Sequence, residues 1–218
     1  MQDLLAPQAQ ATLAHLSMGD LLALAAALGW ASGVRLYLVV FLTGACAYMQ
    51  WLPFDLPTGL AVLQHPLMLA ASFSMLCVEF LADKIPGFDS LWDMLNALIR
   101  VPAGAALAAG VFGADSATMA TAAALMGGSL AAASFSTKAA TRLAVNTSPE
   151  PLSNIGLSFL EDGLVVGVLW LATAHPLLLG VALVLILVAS ALLLWVLARF
   201  LRAFGRRMRA FFGAPASE

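Results

Sequence analysis

The chain has 218 residues, of which 62% are hydrophobic and only 10% are charged, and its mean hydropathy is +0.95. Soluble domains typically contain about 25% charged residues, so this composition excludes an ordinary soluble domain and predicts a polytopic helical membrane protein. The net charge of −2 says little, because the basic residues are unevenly placed. Half of the 10 lie among phenylalanines in the last twenty positions, which favours lipid headgroups over nucleic acid as their partner: Arg199, Arg202, Arg206, Arg207 and Arg209.

The sequence predicts one all-α transmembrane domain at residues 21–201, an N-terminal segment at 1–20 and a basic cytoplasmic tail at 202–218. We expect no removed signal peptide, because the first segment has neither a basic region nor a cleavage site. About 20 apolar residues in a helix cross the hydrocarbon core. Six candidate spans follow in chain order: 21–48, 66–81, 101–112, 118–145, 152–174 and 177–201.

Two of these spans are over-long and interrupted by small or polar residues. The first contains Gly-Trp-Ala-Ser-Gly-Val-Arg at 29–35, which predicts a break or kink in the helix. The fourth is interrupted by Gly127-Gly128 and then by a run of polar residues: Ser134, Ser136, Thr137, Lys138 and Arg142. Interrupted spans in corresponding positions are a pointer to a binding site in transporters.

Residues 88–99 differ from the spans in kind. Apolar residues recur there at helical spacing, while Asp89, Asp93 and Asn96 occupy the opposite face. This pattern predicts an amphipathic helix that lies in the membrane interface. The short alanine- and glycine-rich span that follows, 101–112, is expected to cross only with help from this segment.

Orientation follows from the rule that Lys and Arg collect on the cytoplasmic side. The C-terminal arginines place the C-terminus in the cytoplasm, and counting back through six spans places the N-terminus there and His175 outside. The halves 21–113 and 116–201 then enter the membrane in opposite directions, as in a 3+3 inverted repeat. Matching features favour the repeat: Arg35-Leu36 with Arg142-Leu143, and Glu79 with Glu161.

A candidate site for a substrate or ion is formed by charged residues inside or close against the apolar runs: Arg35, Glu79, Lys138, Arg142, Glu161 and Asp162. A charge at membrane depth costs about 2.5–3.5 kcal/mol on insertion scales, so such groups pair, face a wet cavity or perform a function. Arg35 either pairs with a carboxylate as a strut or contacts an anionic group. We expect it within salt-bridge reach of Glu79 or Glu161.

The adjacent acids and the nearby basic pair have distinct expected roles. Glu161 and Asp162 point about 100° apart on a helix, so they are not expected to face one partner. Burial and mutual repulsion favour a neutral form of one of them unless Lys138 or Arg142 is in contact, and a proton-coupling carboxylate needs this property. Lys138 and Arg142 lie on one helix face and either pair with these acids or extend to the inner surface.

Two further polar stretches lie at span ends. Asp83 and Lys84 follow the second span towards water and indicate an interfacial helix end. In the loop 146–151, Ser148 precedes a proline, as an N-cap precedes a proline at the first helical position. Free N–H groups at a helix start suit an anion, so Asn146 and Ser148 join the candidate binding residues; an ordinary capped turn explains the same pattern.

Several strings in the chain are long enough to compare with known families: ASGVRLY at 31–37, VEFLADKIPGFDSLWD at 78–93, RVPAG at 100–104, and AVNTSPEP at 144–151 followed by Glu161-Asp162. They resemble a bacterial integral-membrane family known as domain of unknown function 4126. The resemblance covers residues 21–176 and implies a small polytopic protein of the bacterial inner membrane. It implies neither an activity nor a substrate.

The leading functional hypothesis is a small secondary transporter or channel for an ion or small charged solute, coupled to a proton or cation through buried carboxylates. The sequence has no nucleophile elbow, phosphate loop, zinc spacing or dinucleotide fingerprint, so we expect neither an enzyme nor a cofactor. The histidines are scattered and the cysteines lie alone in apolar runs, so no metal site is expected. The expected partners are the lipid bilayer, the solute and further copies of the chain bound through Ala/Gly-rich helix faces.

Two alternatives from other classes stay open. One is a scaffold or assembly protein that does not transport and uses the buried charges as struts. The other is a lipid-handling protein whose segment 88–99 lies at the headgroups. A water-filled cavity that reaches Glu161 and Asp162 would favour transport, whereas a dry and fully paired network would favour the scaffold.

Overall fold

The computed structural model describes residues 16–85, 88–113, 116–146 and 151–212, and these residues form helices with no strand among them. The predicted anion-binding residue Ser148 and the chain before residue 16 lie outside the described residues. In chain order the helices are α1 (Met18–Tyr48), a 3-10 helix (Thr58–Gln64), α2 (Pro66–Ala82), α3 (Phe88–Phe112), α4 (Ala117–Val145), α5 (Pro151–Ala174) and α6 (Pro176–Phe212).

By length and composition, five of the described helices are long and apolar enough to cross a membrane, and α1 is among them when its whole length is counted. The number is six if the 3-10 helix and α2, which meet at 68°, form one bent span. The predicted class, an all-α polytopic membrane protein, is confirmed to this extent. The starts of the helices follow ordinary capping chemistry. Ser17 and Asp20 form a reciprocal capping box at the start of α1.

The predicted break in the first span is confirmed, and it divides α1 into two arms. Arg35 has non-helical backbone angles, φ −145° and ψ 76°. Leu24 on the first arm and Cys46 on the second line the same cavity of about 240 Å³. In a straight helix these residues would be about 33 Å apart, at 1.5 Å per residue. The two arms, 18–34 and 36–48, therefore lie side by side as a helical hairpin with Arg35 at its tip.

The first arm of this hairpin forms the centre of the bundle, and every residue from 24 to 36 is buried. A Cβ atom on Gly29 would overlap the backbone of Gly127, and one on Gly33 would overlap the backbone of Ala131. From the first contact to the second, the chain advances by four residues in both helices, from Gly29 to Gly33 and from Gly127 to Ala131. The first arm and α4 therefore run in the same direction. The predicted interruption at Gly127-Gly128 is wrong: α4 is continuous there, and Gly127 instead permits close contact with the first arm.

The prediction of a separate interfacial helix at 88–99 is wrong. These residues and 101–112 form one continuous helix, α3, which passes through Pro102. Its polar face points inward: Asp93 and Asn96 are buried, while Leu98 on the opposite face is 83% exposed. An amphipathic pattern shows that one face of a helix contacts polar groups, and here those groups are charges inside the bundle instead of lipid headgroups.

The two ends of the bundle can be named from the chain segments that meet there. Asp20, Phe54 and Pro176 line one cavity, so the start of α1, the loop after it and the turn between α5 and α6 share one end, the hairpin end. The opposite end is the tail end. α6 is a continuous helix of 37 residues, about 55 Å long, so it begins at the hairpin end and finishes beyond the tail end.

This arrangement bears on the predicted topology. The first arm of α1 starts at the hairpin end and the second arm finishes there, so α1 does not cross the bundle. The start of α1 and the end of α6 therefore lie at opposite ends of the bundle, and the prediction that both termini are cytoplasmic is not confirmed. The helix α4 has no break that matches the one in α1, so the predicted inverted repeat is not confirmed.

Candidate functional site

Charged side chains from five helices, α1 to α5, and from the turn directly after α2 meet around the tip of the α1 hairpin. They are joined to one another by nitrogen–oxygen distances of 4.0 Å or less, and together they are called the charged network here. Its basic members are Arg35 (α1), Arg100 (α3), Lys138 and Arg142 (α4). Its acidic members are Glu79 (α2), Asp83 (directly after α2), Asp93 (α3), Glu161 and Asp162 (α5).

Arg35 occupies the tip of the hairpin and is completely buried. Its Nη1 lies 2.6 Å from Asp83 Oδ2, and its Nε lies 3.5 Å from Glu161 Oε2. Its Nη2 donates to the hydroxyl and to the carbonyl oxygen of Ser158. The prediction that Arg35 lies within salt-bridge reach of Glu79 or Glu161 is confirmed for Glu161.

The expectation that Glu161 and Asp162 do not face one partner is wrong. The Nε atom of Arg35 lies 3.0 Å from Asp162 Oδ1 as well as 3.5 Å from Glu161 Oε2. The guanidinium group approaches α5 from the hairpin tip, so the two carboxylates can flank it although their Cβ bonds diverge. The side chain of Glu161 is buried, whereas that of Asp162 is 27% exposed.

Lys138 and Arg142 pair with acids, which was one of the two roles predicted for them. Arg142 makes a two-point contact with Glu161, with Nε 3.2 Å from Oε1 and Nη2 2.9 Å from Oε2. The ammonium of Lys138 lies 3.3 Å from both Asp93 and Glu161. It also donates to the carbonyl oxygen of Val34, which is next to the break in α1. Lys138 therefore satisfies a backbone group at the break.

The prediction of an interfacial helix end is wrong for Asp83, which is completely buried between Arg35 and Arg142. Lys84 is partly buried, and its ammonium lies over the ring of Phe80 and donates to the carbonyl oxygen of that residue. Burial and the positive charge of Arg35 hold the pKa of Lys84 below its ordinary value. The turn after α2 is therefore part of the site.

Sequence reasoning missed Asp93 and Arg100 as members of the site. Arg100 donates to Glu79 Oε1 and lies 2.8 Å from Asp93 Oδ1. The hydroxyl of Tyr37 donates to Asn96 Oδ1 at 2.8 Å, which ties the second arm of α1 to the same face of α3. The signal was present: Asp93, Asn96 and Arg100 are spaced three and four residues apart and so share one helical face.

The predicted anion site at the start of α5 is described only at one residue. Asn146 follows α4 as its C-cap, and its Oδ1 accepts a hydrogen bond of 2.9 Å from Asn154 Nδ2. Ser148 lies outside the described residues. Anion binding at this turn stays a prediction.

The charged network has more acids than bases and several carboxylate oxygens without a donor. Within the described residues, Glu79 Oε2, Asp83 Oδ1 and Asp93 Oδ2 are buried and accept no hydrogen bond. The same described residues contain no group of three or more His, Cys, Asp or Glu placed to hold a metal ion. One cavity of about 450 Å³ reaches the network, because Asp93 and Arg142 lie in its wall. A second cavity of about 380 Å³ has Tyr37 in its wall and is otherwise lined almost entirely by apolar residues.

Comparison with known proteins identifies a family but no activity. The family model of a domain of unknown function matches residues 22–198 of the chain. No curated protein and no solved structure matches the chain. The function must therefore be argued from the site.

Proposed function

The chain belongs to the DUF4126 family, and we propose that it is a small transporter or channel that moves an ion or small charged solute across the bacterial inner membrane. The observation that carries the proposal is the break of α1 at Arg35 inside the charged network. Non-helical backbone at membrane depth occurs where it is buried in protein or lines a cavity, and broken helices form the substrate sites of many transporters.

The energetic cost of the network supports a function beyond stability. Replacing a buried ion pair with well-packed apolar residues is often neutral or stabilising, so buried pairs alone are a weak means of holding helices together. Here nine charged side chains meet at one place, and five of them lie at 0% exposure. In the proposal, the basic groups hold the charge of the solute and a carboxylate carries the coupled ion. The protein needs no cofactor or catalytic residue for this.

The proposal is tested by flux measurements with the purified protein in liposomes. The native chain should carry at least one ion or charged solute from a panel, and Arg35→Gln should abolish this flux. Arg199→Gln is the matched control, because Arg199 is an exposed arginine on α6 that stacks on Trp195. Its flux should equal that of the native protein. Arg35→Lys keeps the charge and separates loss of flux from loss of folding. A native protein that carries none of the solutes would contradict the proposal.

The scaffold function is the second candidate, because each basic member of the network contacts at least two acids. A charged group that acts only as a structural strut must be paired with groups of opposite charge, as these basic groups are. The scaffold is favoured if the native protein shows no flux and the Arg35 variants only lower its stability. The lipid-handling alternative is less well supported, because Asp93 and Asn96 of segment 88–99 are buried in the bundle.

A further inference from the structure

We infer that the ion coupled to this site is the proton: the charged network binds one proton, which reaches it through Asp162. This inference rests on the proposed function and names the coupled ion. It depends on three features of the described residues. They are the surplus of acids in the network, the buried carboxylate oxygens that have no donor, and the difference in exposure between Asp162 and the other members.

The first feature is a charge imbalance. Five carboxylates face four basic groups, so the network has a net charge of −1 when every member is ionised. An uncompensated charge is costly inside a bilayer, and the network lowers this cost by binding one positive charge. Lys84 acts on Asp83 and Asp162 through its charge, but its ammonium is held by the carbonyl oxygen and ring of Phe80, so it is not counted in the network. A divalent cation would replace the surplus of −1 with a surplus of +1.

The second feature distinguishes a proton from a metal cation. Glu79 Oε2, Asp83 Oδ1 and Asp93 Oδ2 are each buried without a donor. They belong to three different side chains, and no metal-holding cluster of three such groups occurs in the described part of the chain. A metal cation needs several oxygen ligands around one point, whereas a proton needs a single carboxylate oxygen. Binding forms one O–H bond on a carboxylate and release breaks it, so no other reactant is required.

The third feature identifies the point of uptake. Glu161 contacts three basic groups, Arg35, Lys138 and Arg142, and its side chain is almost completely buried. Asp162 contacts only Arg35 among the basic members, and its side chain is 27% exposed, compared with 6% for Glu161. Asp162 is therefore the network carboxylate that exchanges protons most readily with the outside of the bundle.

The charged groups around Asp162 come from each element that packs against it. They are Arg35 on α1, Asp83 and Lys84 after α2, Lys138 on α4, and Glu161 on α5 itself. Arg35 and the lysines favour its ionised form, whereas Asp83 and Glu161 favour its protonated form. Removing the Asp162 charge makes the numbers of acids and bases in the network equal.

The bound proton is tested by infrared spectroscopy of the protein in lipid nanodiscs. At neutral pH the native protein should show the carbonyl stretch of a protonated carboxylic acid, which shifts in D2O. Asp162→Asn should lose this band, because its network has four acids and four bases. Asp55→Asn is the matched control, since Asp55 is an exposed loop carboxylate, and it should keep the band. Absence of the band from the folded native protein would overturn the inference.

Coupling is tested in liposomes that contain a pH-sensitive dye and carry an imposed pH gradient. Native protein and Asp162→Glu should dissipate the gradient, and Asp162→Asn should reduce this rate at least tenfold while its unfolding temperature stays near that of the native protein. A flux of Na⁺, K⁺ or an anion whose rate does not depend on the pH gradient would overturn this inference, but it would still support the proposal of transport. If the native protein shows the infrared band but carries no flux, the proposed transport function is overturned, whereas the binding of a proton by the network is supported.

Discussion

At the scale of single residues, the buried arginines are held by acids on other helices. Arg142 contacts Glu161 through two nitrogen atoms, and it also lies 3.4 Å from Asp83. None of these three residues can turn to water without moving a helix, because all are buried. Each arginine in the network is therefore a charged partner of at least two carboxylates.

Arg142→Ala should accordingly lower the free energy of unfolding by about 3–5 kcal/mol, because it leaves buried carboxylates without a partner. The measurement is reversible unfolding in detergent micelles. Arg199→Ala is the control, since an exposed arginine contributes about 1 kcal/mol or less. Equal effects of the two substitutions would show that the charged network does not stabilise the fold.

At the scale of helices, small residues determine how closely the first arm of α1 approaches its neighbours. Gly29 lies against the backbone of Gly127, and Gly104 of α3 lies against the same region. This close approach brings the hairpin tip between α4 and α5, where Arg35 meets the acids. α2 is mostly exposed, and its links to the site are Glu79 and the Asp83 that follows it.

Gly29→Ala should lower the free energy of unfolding by about 1–3 kcal/mol, as expected for overpacking in a close contact. Gly163→Ala on α5 is the matched control, because nothing lies within 4 Å of its added Cβ atom. That substitution should be neutral or stabilise the helix by up to about 1 kcal/mol. A Gly29 variant as stable as the Gly163 variant would be inconsistent with the packing of the hairpin.

At the scale of the whole molecule, the hairpin predicts an odd number of membrane crossings. After α1 has returned to its starting end, the following segments run between the two ends of the bundle: the 3-10 helix with α2, then α3, α4, α5 and α6. The arginine-rich end of α6 indicates that the tail end faces the cytoplasm. We therefore expect the start of α1 to lie outside the cytoplasm, on the same side as His175.

Cysteine labelling checks this topology in a variant without Cys46 and Cys77. Met18→Cys and Ala174→Cys should react with an impermeant reagent from the same, outer side of intact cells. Lys84→Cys, at the tail end, should react only after the membrane is opened. If Met18→Cys and Ala174→Cys were labelled from opposite sides, α1 would have to cross the membrane as a single span.

The sequence by itself determined the features that depend on composition and local spacing. Apolar content predicts the membrane class, and glycine, serine and arginine at 29–35 predict the break in α1. The cost of buried charge predicts that Arg35 pairs with Glu79 or Glu161, and Glu161 is the one within reach. These properties belong to short segments. They require no knowledge of which helices are neighbours.

Only the tertiary structure decided how sharply α1 bends, which way each polar face points and which charges meet. A helical pattern identifies a polar face on α3, but the partners of Asp93 and Arg100 are on α2 and α4. Asp83 follows an apolar span as an interfacial residue would, yet Arg35 and Arg142 enclose it. Contacts between distant segments depend on helix packing and direction. One hairpin in place of a crossing therefore changes the topology, although every local pattern in the sequence stays the same.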